Sequence, residues 1–98
     1  MRPKKTRWIK CEPGERCFRP QCLPLSKLER VNLTIDEFEA IRLADLEKLT
    51  QAEVARRMKV HRSTISRILD SAHGKIADAF VNIKAVKIEG GFCKIIGK

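Results

Sequence analysis

A mainly α fold is predicted for this 98-residue chain, and three observations predict it. Two helix-start signatures, Thr34-Ile35-Asp36-Glu37 and Thr50-Gln51-Ala52-Glu53, lie close together. Each sets a hydroxyl three residues before a carboxylate, so that the two side chains satisfy backbone N–H groups reciprocally. Beyond them, from Arg62 onward, Ile65, Leu69, Ala72, Ile76, Ala79 and Ile83 recur at alternating spacings of four and three. That is the period of a helix with one continuous apolar seam. The architecture expected is a three-helix helix-turn-helix domain with short extended segments at the N- and C-termini.

The chain divides into three stretches. Residues 1–33 form a basic arm and a Cys-containing extended segment. Three Cys, three Pro and a Gly between positions 8 and 25 leave no room for a helical period. Glu12-Pro13-Gly14-Glu15 suits a type II turn, because Pro presets φ at the second position and Gly accepts positive φ at the third. Residues 34–84 form the helical domain. Its first helix starts at Thr34, with acids at 36, 37 and 39 near the positive end of the helix dipole. Ile35, Phe38, Ile41, Leu46 and Leu49 are its inward stripe, widened by Ala40 and Leu43. The second helix is short and buries Val54, Ala55 and Met58. The third is long, and Gly74 marks a place where it could break, since Gly weakens a helix by roughly 1 kcal/mol relative to Ala. Residues 85–98 read as an extended tail or hairpin, with Val86, Ile88, Phe92, Ile95 and Ile96 around Gly90-Gly91.

The second and third helices meet as a helix-turn-helix requires. Two closely crossing helices need a small residue where they touch, and Ala55 supplies it. Val54, Met58, Val60, Ile65 and Ile68 or Leu69 fill the junction. The turn favours a left-handed residue, usually Gly. Lys59 holds that slot here, at a cost of about 1 kcal/mol in backbone strain. His61 is expected at the N-cap of the third helix.

Charge is zoned along the chain. There are 21 Lys and Arg against 12 Asp and Glu, a net +9, with a pI near 9.8. Residues 2–10 and residues 56–67 each carry five basic side chains and no acid, whereas residues 36–47 hold five acids and one Arg. A one-sided basic surface suits a polyanionic partner, of which nucleic acid is the commonest. Hydrophobic residues make up 43% and charged ones 34%, too apolar for a disordered chain. No apolar run approaches the ~20 residues of a membrane span, and no apolar core of a signal peptide follows the basic start. A cytoplasmic location and no membrane partner are therefore expected.

With the junction buried, Arg62, Ser63, Ser66 and Arg67 occupy the outward face at the start of the third helix, the end that enters the major groove in this motif. Arg can bond guanine O6 and N7 in a bidentate way. Gln51, Ser63 and Thr64 are candidate phosphate anchors, assisted by N–H groups at the helix starts. Arg56, Arg57, Lys59 and His61 add the rim. An ordinary three-helix domain with a solvated basic face is the plainer alternative.

Four Cys need their own reading. In a reducing compartment they are thiols or metal ligands rather than disulfides. Cys11, Cys17, Cys22 and Cys93 are candidate zinc ligands, a set of four soft donors. The gaps of five and four between the first three are wider than the commonest zinc spacing, so small buried hydrophobes remain the other reading.

The run Leu33-Thr34-Ile35-Asp36-Glu37-Phe38-Glu39-Ala40-Ile41-Arg42-Leu43-Ala44-Asp45, with Phe18-Arg19-Pro20, Arg67-Ile68-Leu69 and Ile88-Glu89-Gly90-Gly91, resembles a family of small uncharacterised archaeal and bacterial proteins predicted to bind DNA. Its helix-turn-helix resembles region four of bacterial sigma factors. The resemblance implies that Arg62, Ser63, Ser66 and Arg67 face the groove. Some relatives resemble this chain joined to a domain of the dinitrogenase iron–molybdenum cofactor type, which is absent here.

The function expected is sequence-specific binding of double-stranded DNA, as a regulator of transcription. A protein-interaction module on the same scaffold, or a metal or redox sensor with DNA binding as its output, are the rival classes. An enzyme is not expected, since no paired carboxylates, base-activated nucleophile or phosphate-cradling Gly loop appears. A homodimer is one expected arrangement, because one short recognition helix specifies few base pairs and the seam of the third helix could pair. That seam could equally pack within one chain.

Overall fold

The computed structural model describes residues 7–9, 17–21, 28–90 and 93–95. Three helices dominate it: α1 (Ile35–Ile41), α2 (Gln51–Met58) and α3 (Arg62–Asn82). Five short strands flank them: β1 (Arg7–Ile9), β2 (Cys17–Phe18), β3 (Arg30–Leu33), β4 (Ala85–Ile88) and β5 (Cys93–Ile95). The mainly α expectation holds.

Local chemistry sets the helix starts. Thr34 caps α1 with the full reciprocal box: its hydroxyl accepts from the Glu37 N–H, and the Glu37 carboxylate accepts from the Thr34 N–H at 2.9 Å. Only half of the second box forms. Thr50 Oγ1 accepts from the Glu53 N–H at 3.2 Å, but the Glu53 carboxylate turns to Arg56 and Arg57 instead.

After Ile41 the chain enters a π-helical turn, Arg42–Leu46, closed by the Glu47 N–H donating to the Arg42 carbonyl. One extra residue per turn rotates everything beyond it. This corrects the inward stripe predicted for the first helix. Leu43 stays buried and Leu49 packs on the core, while Leu46 is swung out to 75% exposure. Lys48, at φ 64°, then redirects the chain into α2.

α1 and α2 both pack on α3. Ala40, Leu43, Val54, Ala55, Met58, Ile65, Ile68 and Leu69 make one buried cluster. A second joins Leu33, Ala72, Ala79, Val86 and Ile88, where the sheet meets the far half of α3. Ile65, Leu69, Ala72 and Ala79 of the α3 seam therefore lie inside the chain, with Ile76 half-buried, so the seam packs within one chain. Gly74 does not interrupt the helix. A side chain there would meet nothing within 4 Å, so no packing demand explains the Gly.

The tail is not a hairpin. β4 is the middle strand of a three-stranded sheet, antiparallel to β2 and parallel to β3, with Leu33 opposite Ile88. Both its edges are taken, so β5 pairs elsewhere, parallel to β1. The helix must stop to deliver β4, and it does so through Ile83 at φ 55°. This also corrects Ile83 as an inward residue: it is 41% exposed. The proposed turn at Glu12-Pro13-Gly14-Glu15, the arm at residues 1–6, and the tail residues Phe92 and Ile96 lie outside the described residues.

Candidate nucleic-acid interface

The geometry between α2 and α3 follows from one left-handed residue. Lys59 has φ 60° and ψ 43°, and its N–H donates back to the Arg56 carbonyl. Val60 then bonds the Ala55 carbonyl at 3.0 Å and tucks against the core. His61 follows as the N-cap of α3. Its Nδ1 accepts from the Ser63 N–H at 3.2 Å and lies 2.9 Å from the Ser63 hydroxyl. The imidazole thus acts as an acceptor on that side. Three residues turn the chain, and Ala55, 5% exposed, sits at the crossing.

Beyond the turn, α3 presents two faces. Ile65, Ile68 and Leu69 are buried against α1 and α2. Arg62, Ser63 and Arg67 are exposed on the outward side, with Ser66 half-buried between them. Gln51, Arg56, Arg57, Lys59 and His61 are also exposed, and Thr64 is half-buried. All ten predicted residues therefore lie on the α2–turn–α3 unit, eight of them exposed. Arg56 and Arg57 share Glu53, an exposed arrangement of the kind worth little and easily exchanged for another anion. β1 runs beside α1 and α2.

Sequence reading missed the role of the acids in α1. Asp36, Glu37 and Glu39 are buried rather than solvated. Glu39 takes a bidentate grip from Arg42, at 2.7 and 3.0 Å, and Arg42 also reaches Glu47 at 2.7 Å. Glu37 accepts from Lys75 at 2.7 Å and from the Ser71 hydroxyl. Lys75 also donates to the Asn32 carbonyl at 2.9 Å, so one ammonium links β3, α1 and α3. The signal available in the sequence was a lone Lys among small and apolar residues of the third helix. Its partner lies 38 residues away.

Of the proposed zinc ligands, Cys11 and Cys22 lie outside the described residues, and only the backbone of Cys93 is described. Cys17 is exposed on β2, opposite Lys87. Among the described residues no group of three or more His, Cys, Asp or Glu converges on one point. Among them, too, no helix is long and apolar enough to cross a membrane.

A family model described as "Protein of unknown function DUF134" matches residues 1–96. The chain belongs to this family. Among its relatives, the UPF0251 protein TTE1845 of Caldanaerobacter subterraneus subsp. tengcongensis is 55% identical over 97 residues, covering 99% of this chain and 82% of the relative. A UPF0251 protein of Prosthecochloris aestuarii is 56% identical over 90 residues, covering 92% of this chain and 58% of its own length. One from the archaeon Methanosarcina mazei is 50% identical over 91 residues, covering 93% and 56% respectively. The chain thus spans little more than half the length of the latter two DUF134 relatives. No solved structure matches it.

Proposed function

We propose that this chain binds double-stranded DNA by setting the N-terminal turns of α3 in the major groove, and that it regulates transcription in this way. One observation carries the reading. Arg62 and Arg67 stand exposed on the outward side of a helix start whose opposite side, Ile65, Ile68 and Leu69, is fixed in the core. Two guanidinium groups on a rigid helix are suited to reading guanine edges, each good bidentate contact discriminating by about 1–3 kcal/mol. Arg56, Arg57 and Lys59 border that helix start and suit the flanking phosphates, which supply affinity without sequence preference.

Fluorescence anisotropy with a labelled random-sequence duplex tests the reading. Binding should weaken steeply as salt rises from about 50 to 200 mM, with a log–log slope of roughly −0.9 per phosphate neutralised. A flat salt response, or no binding at low salt, would favour the rival of a protein-interaction module. Selection of bound fragments from random duplexes then gives the sequence read.

A further inference from the structure

The three-stranded sheet has one face on α3 and one turned away from it. Val86 and Ile88 of β4, with Leu33 of β3, go to the core. Side chains alternate along a strand, so Ala85 and Lys87 of β4 and Arg30 of β3 belong to the other face. Cys17 stands opposite Lys87, and Arg30 opposite Ala85. On this face lies a groove of about 300 Å³ lined by Cys17, Arg19, Leu28, Arg30, Ala85 and Lys87.

Three of those residues are cations, and none of the described lining is acidic. Like charges on neighbouring strands repel, so this grouping costs stability unless an anion offsets it. Arg19 and Arg30 are exposed and have no ion-pair partner among the described residues. Lys87 meets Glu89 at 3.4 Å, an exposed pair of the kind worth little and easily exchanged for another anion.

We infer that this groove binds the phosphate group of a small phosphomonoester, with Arg19, Arg30 and Lys87 around its oxygens. Guanidinium forks match phosphate oxygens in pairs, and Lys adds a point charge. Three cations call for more than one negative charge, which a phosphomonoester carries at neutral pH and a single carboxylate does not. The groove is larger than a phosphate alone and falls at the lower end of small-molecule sites. Leu28 and Ala85 line the room left for the organic part of the ester. A nucleic-acid backbone needs a track of cations, whereas these three border one hollow. The site is also separate from the DNA-binding surface proposed for α3. Arg62 is at the start of that helix, β4 follows its end, and the 21 residues between span roughly 30 Å.

Titration of the full chain without DNA tests this independently of the function proposed above. The probes are phenyl phosphate and inorganic phosphate, each at fixed ionic strength and about pH 7.5, where the ester is a dianion. Phenyl phosphate should shift the backbone amide NMR signals of Arg30, Ala85 and Lys87, saturating with a dissociation constant of about 1 mM or tighter. Inorganic phosphate should shift the same signals more weakly. Arg19→Gln and Arg30→Gln should each weaken phenyl phosphate binding roughly tenfold or more. Their thermal midpoints should hold or rise, since a repelling charge is removed. Arg67→Ala should leave phenyl phosphate binding unchanged. Absence of a saturating shift overturns the proposal, as does a loss with Arg67→Ala equal to that with Arg30→Gln. Equal affinity for the two probes overturns the ester in favour of free phosphate. A drop in duplex affinity with Arg30→Gln as large as the drop for phenyl phosphate would make the groove a nucleic-acid contact and overturn it too.

Discussion

Lys59 carries the bend between α2 and α3 at a backbone angle that L-residues resist by roughly 1–2 kcal/mol. The spacing of Ala55, Val60 and Ile65 made its position legible, because a three-residue turn between two capped helices leaves one slot for a left-handed residue. A side chain kept there is worth its strain if it meets a phosphate. Lys59→Gly should therefore raise stability to urea by about 1 kcal/mol and weaken binding to all duplexes alike. Arg67→Ala should behave differently. It should lower affinity for the selected sequence by about 1–3 kcal/mol, with little effect on random duplex. Equal losses on both duplexes would count against groove reading by Arg67. Ile83 has the same left-handed angle, yet nothing local announces it. Its position depends on where β4 must begin.

Helix α1 owes its placement to charges that sequence reading credited only to the helix dipole. Burial pushes the Glu37 carboxyl up, but hydrogen bonds from Lys75, Ser71 and the Thr34 amide outweigh it and hold the group below its ordinary value of 4.5. A carboxyl with a lowered value in the folded state stabilises that state above its unfolded value. The contribution disappears as pH falls from about 4.5 through the folded value. Glu37→Gln should thus cost about 2 kcal/mol in urea unfolding at pH 7. The gap from wild type should narrow as the pH is lowered below about 4.5. A gap that does not narrow at all as the pH falls below 4.5 would assign the cost to packing rather than charge. The dipole argument for acids at a helix start was sound, but it could not say that Lys75 would stand opposite. Leu46 fails for a related reason: a π turn rotates the stripe, and apolar spacing alone cannot reveal an inserted residue.

The described strands β3 and β4 share a core with the far half of α3. β4 lies between β2 and β3, and its Val86 and Ile88 cover Leu33, Ala72 and Ala79. A chain ending at Ile83 would uncover that cluster and leave β3 without its neighbour. Small domains hold only about 5–15 kcal/mol in total, so this truncation should abolish a cooperative thermal transition in circular dichroism, although every helix-turn-helix residue is retained. If the shortened chain still melts cooperatively, β4 is an accessory to a core that residues 1–83 form without it. The hairpin expected around Gly90-Gly91 assumed that neighbouring strands pair. Strand β4 instead takes partners more than fifty residues earlier in the chain, because both must cover the same half of α3.

Caps, turn, crossing residue and the outward start of α3 were readable from the residues alone, since each rests on contacts within three or four positions along the chain. Strand partners, the burial of Glu37 and Glu39, and the exposure of Phe80 and Val81 were settled only by packing. Those outcomes join segments far apart in sequence, and which surface is left for them depends on what the rest of the chain has already covered.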